Sequence, residues 1–505
     1  MAAKKKSKKY FDPLEAARIS KAGRRLMSHI EAGQVFVPRV VVRRDITKEG
    51  EPWQSRVQIG RALRDEHPVA EHGAWKPAKQ RPDPLKLLAA SNKGRQKHLI
   101  PLRMARMAES PFAFLRGSAC VMAWDLANAP SVGMNVVIDG DAHYSNFGVF
   151  GTSHNTVTAD LNDFDEATIG PWEWDLKRLT ASISVLGRHN GLKRKERRRA
   201  VRRCASGYRW NLRRLEAMPV MNLWYLVTAL DSGAQREVVI DKKSQALIDQ
   251  ALDRARDNNN VRFLSKVAER SATGKWRFKS DPPILTRVDD ATRGAILAGL
   301  DDYISTLSPE RRYMLRRYHV VDVAHRVVGV GSVGTRAYLV LLMGNGEHDP
   351  LFLQVKEATA PAHAPYVAPL PAFIGHDGMR VVHGQRVLQA SGDPLLGWTT
   401  VAGRPFYVRQ MRNLKGGVDP MLLSGQPLEL LSWMRGALLA RAHSRGGDGA
   451  VISGYCGDDD EFDEAMADWA EAYADQTEKD HETLVKAIRA GKIEASTIKT
   501  GSKEI

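Results

Sequence analysis

Cysteine is scarce in this chain of 505 residues, which contains only Cys120, Cys204 and Cys456. An odd and widely spaced set excludes a disulfide framework and a zinc cluster. The chain also lacks any run of about 18 apolar residues, so the sequence predicts no membrane-spanning helix. The N-terminal stretch MAAKKKSKKY is basic but has none of the apolar character that a secretory signal requires. We therefore expect a cytoplasmic protein.

Acidic residues are fewer than basic ones: the chain has 58 Asp and Glu and 75 Lys and Arg, which gives a formal net charge of +17. This excess predicts an anionic partner, and nucleic acid, nucleotide phosphate and an anionic membrane surface all remain open. Much of the excess lies in the lysines of residues 4–9 and in the stretch LKRKERRRAVRR at 192–203. We interpret the first as a disordered tail and the second as a helix with a solvated basic face. Contact with a polyanion is the alternative for both.

Charge and hydropathy divide the chain into four parts. Residues 1–95 are predicted to form a basic tail and an irregular N-terminal wrap, with a helix near 13–32. Residues 96–317 are predicted to form a helical lobe that contains two short strands. Residues 318–412 alternate, are rich in Val and Leu, and carry Gly at their turns, which predicts a β-rich lobe. Residues 413–505 are again helical and complete the large lobe, so the predicted fold class is α+β.

The strongest motif is GDAHYSN at residues 140–146, directly after a short apolar run. Asp141 and Asn146 can point into one pocket, where the aspartate accepts a hydroxyl proton and the amide ligates a divalent cation. The stretch LNDFDE, which contains Asp163 and Asp165, then ends a predicted strand in clustered carboxylates. Such hard oxygen ligands suit Mg²⁺. A capped, solvated turn explains either motif alone, but their spacing across one hairpin favours a shared site.

A second motif is the glycine-rich stretch GVGSVG, which a predicted strand follows. A helix would have to follow it in a dinucleotide-binding turn, so a lid over nucleotide phosphates fits better. The candidate phosphate ligands in this stretch are Gly329, Gly331, Ser332 and Gly334. Lys356 lies further on, inside the apolar strand LQVKEA, where burial of its charge requires an anion such as phosphate. Three arginines before the GDAHYSN motif are candidates for phosphate binding or for pairing with the acidic cluster: Arg103, Arg106 and Arg116.

Eight segments carry a family resemblance: RMAESPFAFLRG, GDAHYSNFG, NDFDEATIGPWEWDLKRL, VGVGSVGTR, LQVKEA, GQRVLQ, RQMRNLKG and LARAHSR. Together they resemble the bacterial family called domain of unknown function 2252, over residues 60–490 or so. Its motifs are similar to those of the aminoglycoside-phosphotransferase branch of the protein-kinase-like fold. That branch uses a loop of the form G-D-x-H-x-x-N, a metal-binding aspartate at a strand end, and a helix that begins with D-L.

The resemblance implies a two-lobed kinase-like fold with ATP and Mg²⁺ as cofactors. It implies Asp141 as the catalytic base and His143 as a residue that braces the catalytic loop. Asn146 and Asp163 would ligate Mg²⁺, and Asp165 lies beside them as a further carboxylate ligand. The partners would then be a nucleotide and an unknown acceptor.

Two departures from the kinase pattern matter. The glycine-rich stretch and Lys356 come after the catalytic loop, whereas kinases place them before it, so the resemblance requires a circularly permuted chain. The segment LARAHSR would then stand where such kinases have the helix before the catalytic loop, and Asp175 would support that loop. The predicted helix after Lys356 has no glutamate for the usual ion pair. Asp393 and the phosphates themselves remain as candidate partners.

Three functions follow from these observations. The first is an ATP- and Mg²⁺-dependent phosphotransferase that acts on an unidentified hydroxyl acceptor. The second is a non-catalytic, pseudokinase-like protein that binds nucleotide or polyanion, which the missing glutamate and the net charge favour. The third is a metal-dependent phosphohydrolase in which Asp141 and His143 form a metal-binding pair with Asp163 beside them.

Overall fold

The structure is a computed structural model, and it describes residues 50–152, 156–227, 241–327, 329–367, 375–411 and 414–496. The lysines of residues 4–9 and the helix predicted near 13–32 lie outside this part of the chain. Within it, no helix is both long and apolar enough to cross a lipid bilayer.

The region before residue 318 is mainly helical. Its helices are α1 (Trp53–Glu66), α2 (Ala70–Gly73), α3 (Pro84–Ser91), α4 (Ile100–Ala108), α5 (Pro111–Gly117), α6 (Ala119–Ala127), α7 (Trp172–His189), α8 (Arg194–Leu215), α9 (Val220–Tyr225), α10 (Lys242–Asp257), α11 (Asn260–Val267), α12 (Asp290–Ser305) and α13 (Pro309–Leu315). Its strands are β1 (Asn135–Ile138), β2 (Phe147–Gly151), β3 (Val157–Leu161), β4 (Thr168–Pro171), β5 (Ala268–Arg270), β6 (Trp276–Phe278) and β7 (Leu285–Arg287).

The region after residue 318 begins with strands and ends in long helices. Its strands are β8 (His319–Arg326), β9 (Ala337–Met343), β10 (Pro350–Glu357), β11 (Gly397–Val401) and β12 (Arg404–Gln410). Its helices are α14 (Asp377–Leu388), α15 (Gly425–Gly446), α16 (Gly449–Cys456) and α17 (Glu461–Arg489). The predicted α+β class is therefore confirmed.

Six antiparallel strands form one sheet, in the order β11-β12-β10-β9-β8-β7. All eight residues of β10 are buried, as expected for a central strand that is covered on both faces. Side chains alternate across it, so Phe352 packs with Phe263 of α11 while Leu353 packs in the core that α12 covers. Lys356 shares the face of Phe352 and lies opposite Tyr407 in the neighbouring strand. This register brings both polar side chains to the same end of the sheet.

The sheet begins earlier in the chain than the sequence suggests. Strand β7 pairs with β8, and α12 packs against β11, although both elements precede residue 318. The three-residue strand β7 is too short for its alternation to be recognised in the sequence. The four-part division of the chain stays a prediction.

The central helix of the helical region is α7, whose residues from Trp172 to Gly187 are all buried. It begins directly after β4, with Glu173 and Asp175 in its first turn, where acidic side chains stabilise the helix dipole. It ends before Gly191, whose φ of +73° suits the left-handed turn after a helix. Helices α8, α15 and α17 pack around it.

The basic stretch at 192–203 is helical as predicted, and five of its eight basic side chains are exposed, as a solvated face requires. The three half-buried arginines instead form ion pairs with acidic side chains of α17. Arg197 lies 2.8 Å from Glu471, and Arg198 lies 2.8 Å from Glu464. Part of the positive charge of this helix therefore serves intramolecular packing, and the rest faces solvent.

Candidate active site

Residues from three distant parts of the chain line one open cleft. The predicted site residues that line it are Asp141, His143, Asn146, Asp163, Asp165, Gly329, Gly331 and Ser332. Lys356 is buried behind this surface and contacts its carboxylates. Gly334 is not one of the lining residues and lies beside the side chain of Arg95. The structure thus brings the two motifs of the sequence together.

The loop that carries Asp141 is fixed from below by α7. The Asp175 carboxylate accepts hydrogen bonds from the backbone N–H groups of Asp139, at 2.7 Å, and Gly140, at 2.9 Å. Gly140 has a φ of +79°, and a Cβ there would collide with the carbonyl oxygen of Glu166. Only glycine therefore allows the loop to pass so close to the carboxylate segment.

The histidine and the asparagine of the motif also brace this loop. Nδ1 of His143 accepts the backbone N–H of Ser145 at 3.2 Å. Nδ2 of Asn146 donates to the carbonyl oxygen of Asp141 at 2.6 Å, which leaves its Oδ1 as the atom that can ligate a cation.

Asp141 forms an ion pair that the sequence analysis did not include. Nε of Arg178 on α7 donates to its Oδ1 at 2.7 Å, and another nitrogen of the same guanidinium donates to the carbonyl oxygen of Leu115. Burial, together with the negative charges of Glu166 and Asp163, raises the pKa of Asp141 to about 7, against the opposing effect of this guanidinium. Asp141 can therefore change protonation near neutral pH.

Lys356 is 2% exposed, and its ammonium group contacts Asp165 directly and lies 3.8 Å from Asp163. The hydroxyl of Tyr407 donates to Asp165 at 2.8 Å. Burial alone would raise the pKa of Asp165, but Lys356 and Tyr407 outweigh it and hold that pKa below its ordinary value. The sequence offered Asp393 as a candidate partner of Lys356, and this expectation is wrong. The Asp393 carboxylate instead accepts hydrogen bonds from backbone N–H groups after α14 and at the end of β12.

An arginine anchors α14 to this carboxylate segment, in the helix where a glutamate is missing. The guanidinium of Arg380 donates to the carbonyl oxygens of Asp165 and Thr359, each at 2.8 Å, and to that of Ala167. The helix is thus held against the site by cation–carbonyl hydrogen bonds rather than by an ion pair to Lys356.

The glycine-rich stretch lies between β8 and β9 and is held by the helical segment that precedes the GDAHYSN loop. Gln96 donates its backbone N–H to the carbonyl oxygen of Gly334 at 2.8 Å, and Arg106 donates to that of Gly329. Val330 packs in an apolar cluster with side chains of α4 and α5. The Ser332 hydroxyl donates to Asp165 at 3.3 Å, so the stretch covers the carboxylates.

No group of three or more His, Cys, Asp and Glu side chains among the described residues is arranged to hold a metal ion. A cation at Asn146 and Asp163 would need further oxygen ligands from phosphate and water. Mg²⁺ binds in this way, through one or two carboxylates together with substrate phosphates.

Sequence reasoning missed Arg178, Tyr407 and Arg95 as residues of this site. Arg178 could have been found, because it follows Asp175 by three residues and so shares a face of the same helix. Tyr407 reaches the site only through the register of β12 against β10, which no local pattern contains. Arg95 lies in a segment that the sequence indicates only as irregular.

A family model described as "Uncharacterized protein conserved in bacteria" matches residues 95–487. No curated protein and no solved structure was found to match the chain. The matched residues include the GDAHYSN motif, the carboxylate segment, the glycine-rich stretch and Lys356. The chain therefore belongs to the domain of unknown function 2252 family (DUF2252).

Proposed function

We propose that this protein is an ATP- and Mg²⁺-dependent phosphotransferase with a circularly permuted, kinase-like fold. The observation that carries the proposal is the convergence of Asp141, Asn146, Asp163 and Lys356 around one cleft under a glycine-rich stretch. Kinases use the same five parts to hold MgATP and to orient a hydroxyl nucleophile. Here the five parts come from separate regions of the chain. A structural role of any one motif, such as a capped turn, would therefore not explain why all five meet at one cleft.

The path of the chain supports the permutation. Helix α15, which contains LARAHSR and ends at Gly446, is the first α-helix after the last strand of the sheet among the described residues. A Cβ at Gly446 would lie 3.0 Å from the Cβ of Val137 in β1, and β1 runs into the loop of Asp141. Helix α15 thus ends beside the start of the catalytic loop without a direct chain connection to it. A permutation keeps the spatial assembly on which function depends.

Each residue type suits the role that the proposal gives it. The backbone N–H groups of residues 329–334 and the Lys356 ammonium would bind phosphate oxygens. Oδ1 of Asn146 and the carboxylate of Asp163 would hold Mg²⁺, which neutralises phosphate charge when bound. Asp141 would accept the hydrogen bond of the acceptor hydroxyl and orient it, while Arg178 fixes the carboxylate. Catalysis of this kind is mainly positioning and charge stabilisation.

A non-catalytic nucleotide-binding protein is the second candidate, and two ion pairs favour it. Asp141 is engaged by Arg178, and Lys356 is engaged by Asp165, so both groups have partners before any ligand binds. A phosphohydrolase is disfavoured, because two-metal hydrolases need more His and carboxylate ligands than the described residues bring together.

The test is a calorimetric titration with MgATP, combined with measurement of phosphate release from ATP with water as the acceptor. We expect Asp163→Asn to abolish the Mg²⁺-dependent part of ATP binding. Asp141→Asn should bind MgATP as the wild type does and release no phosphate. The exposed Asp253 provides a matched control, and Asp253→Asn should change neither quantity.

The outcomes separate the candidates. Wild-type phosphate release that is unchanged in Asp141→Asn would refute the catalytic role. Nucleotide binding without any phosphate release in the wild type would favour the non-catalytic protein. Absence of Mg²⁺-dependent ATP binding in the wild type would refute the proposal itself.

A further inference from the structure

Most carboxylates of the cleft have a cationic partner within the protein. Asp141 pairs with Arg178, and Asp165 pairs with Lys356. Glu357, at the end of β10, pairs with two arginines of the sheet, at 3.1 and 3.0 Å. The charges that remain without a direct partner are the ones that a ligand would have to balance.

Arg95 is a cation of the cleft wall that has no carboxylate partner among the described residues. Its Nη1 donates to the carbonyl oxygen of Val333 at 2.6 Å, and its Nε donates to that of Ser91 at 3.1 Å. No carboxylate of the described residues lies within ion-pair distance of its guanidinium, and its Nη2 donates to none of their atoms. Burial lowers the pKa of Arg95, because the surrounding carboxylates only partly offset the lost hydration.

Arg95 helps to anchor the glycine-rich stretch, but this role alone does not explain why an arginine lies at the cleft wall. Arg106 already holds the other end of that stretch, by its hydrogen bond to Gly329, and its side chain does not line the cleft. The Arg95 side chain is half-buried, and a charge that is partly withdrawn from water without a counter-ion is costly unless it binds an anion. Arg116 lines the same cleft and adds positive potential beside His143.

We propose that Arg95 binds a phosphoryl group in the cleft through its planar guanidinium fork. The inference rests on the proposed function, because it assigns this arginine to the phosphate that the cleft would hold. Two bonds to carbonyl oxygens fix the guanidinium in place, so little conformational entropy is lost when it binds phosphate oxygens. The phosphoryl group is the terminal phosphate of the nucleotide or a phosphate on the acceptor.

The experiment compares the affinities of ATP, ADP and inorganic phosphate in the presence of Mg²⁺. The variants are Arg95→Gln, Arg95→Lys and the matched control Arg106→Gln, which also loses a hydrogen bond to the glycine-rich stretch. A charge-assisted hydrogen bond to phosphate predicts that Arg95→Gln weakens ATP binding by roughly 10- to 100-fold. ADP should lose much less, and Arg95→Lys should keep part of the ATP affinity. Thermal unfolding midpoints would show that each variant is folded.

Each outcome decides one question. Selective loss of ATP affinity in Arg95→Gln alone supports the terminal phosphate as the ligand. If the wild type binds inorganic phosphate through Arg95 but binds no nucleotide, the proposed function fails, and the arginine is assigned to an acceptor phosphate. Unchanged ligand binding in Arg95→Gln would overturn the inference. An equal loss for ATP and ADP that Arg106→Gln reproduces would also overturn it, because Arg95 would then only anchor the chain.

Discussion

Removal of the Lys356 charge should destabilise the protein as well as weaken its binding of phosphate. Lys356→Met keeps much of the apolar stem but leaves the Asp165 carboxylate with two hydroxyl partners and no cation. Breaking a buried ion pair by removing one partner costs about 3–5 kcal/mol. The Asp165 side chain is 27% exposed, so water compensates part of this loss. We expect the free energy of unfolding to fall by about 3 kcal/mol, the lower end of that range.

A double-mutant cycle separates the charge from the packing. Asp165→Asn removes the unpaired carboxylate, so the double variant should be more stable than the sum of the single changes predicts, by about 2 kcal/mol.

The pH dependence of this stability has a defined sign. In the wild type the pKa of Asp165 lies below its ordinary value, so the pair's contribution is present at neutral pH and is lost only as the pH falls below about 4. Without Lys356, burial raises that pKa, so the deficit of Lys356→Met should shrink as the pH falls from 7 to 5.

Urea unfolding at both pH values, followed by tryptophan fluorescence, measures these differences. Lys486→Met is the matched control, because Lys486 is 70% exposed in its ion pair with Glu482. Removal of such a surface pair should cost less than about 0.5 kcal/mol. The reasoning is refuted if Lys356→Met costs no more than this control, or if the cycle is additive.

Three further predictions test other parts of the account. The rate of phosphate release from MgATP should fall as the pH drops through about 7, because burial raises the pKa of Asp141 to that value. Arg178→Gln removes the cation that lowers the pKa of Asp141, so the acid limb of the pH–rate profile should move to higher pH. An acid limb at the same pH in this variant would show that Arg178 does not lower the pKa of Asp141. Arg380→Leu should lower the free energy of unfolding by at least about 2 kcal/mol in urea titrations, because it frees three carbonyl oxygens beside the site. Gly446→Ala should cost about 1–3 kcal/mol by overpacking against β1, whereas Gly294→Ala, with open space around it, should be neutral or stabilising. Equal midpoints for the two alanine variants would show that α15 does not press on β1.

Much of the candidate site could be predicted from local sequence motifs. Asp141, His143 and Asn146 lie within one short loop, so their proximity follows from their spacing alone. Alternation and turn glycines indicated the strand of Lys356 and the glycine-rich stretch before it. These features were predictable because each depends on a few neighbouring residues.

Long-range pairing accounts for what the sequence did not indicate. Tyr407 lies beside Lys356 only because β12 pairs with β10 in one particular register. The ion pairs of Arg197 and Arg198 on α8 were not predictable, because their acidic partners lie far along the chain, on α17. Arg95 and the glycine-rich stretch are likewise brought together by packing of the helices before the catalytic loop.

The most direct test of the central claim is the position of a bound metal ion. A crystal of the protein with Mn²⁺ and a non-hydrolysable ATP analogue would show the ion by its anomalous scattering. If the proposed site is right, we expect one strong peak at about 2.0–2.2 Å from oxygens of Asn146 and Asp163, with analogue phosphates under residues 329–334. An analogue bound elsewhere, or a metal ion away from these two side chains, would contradict it.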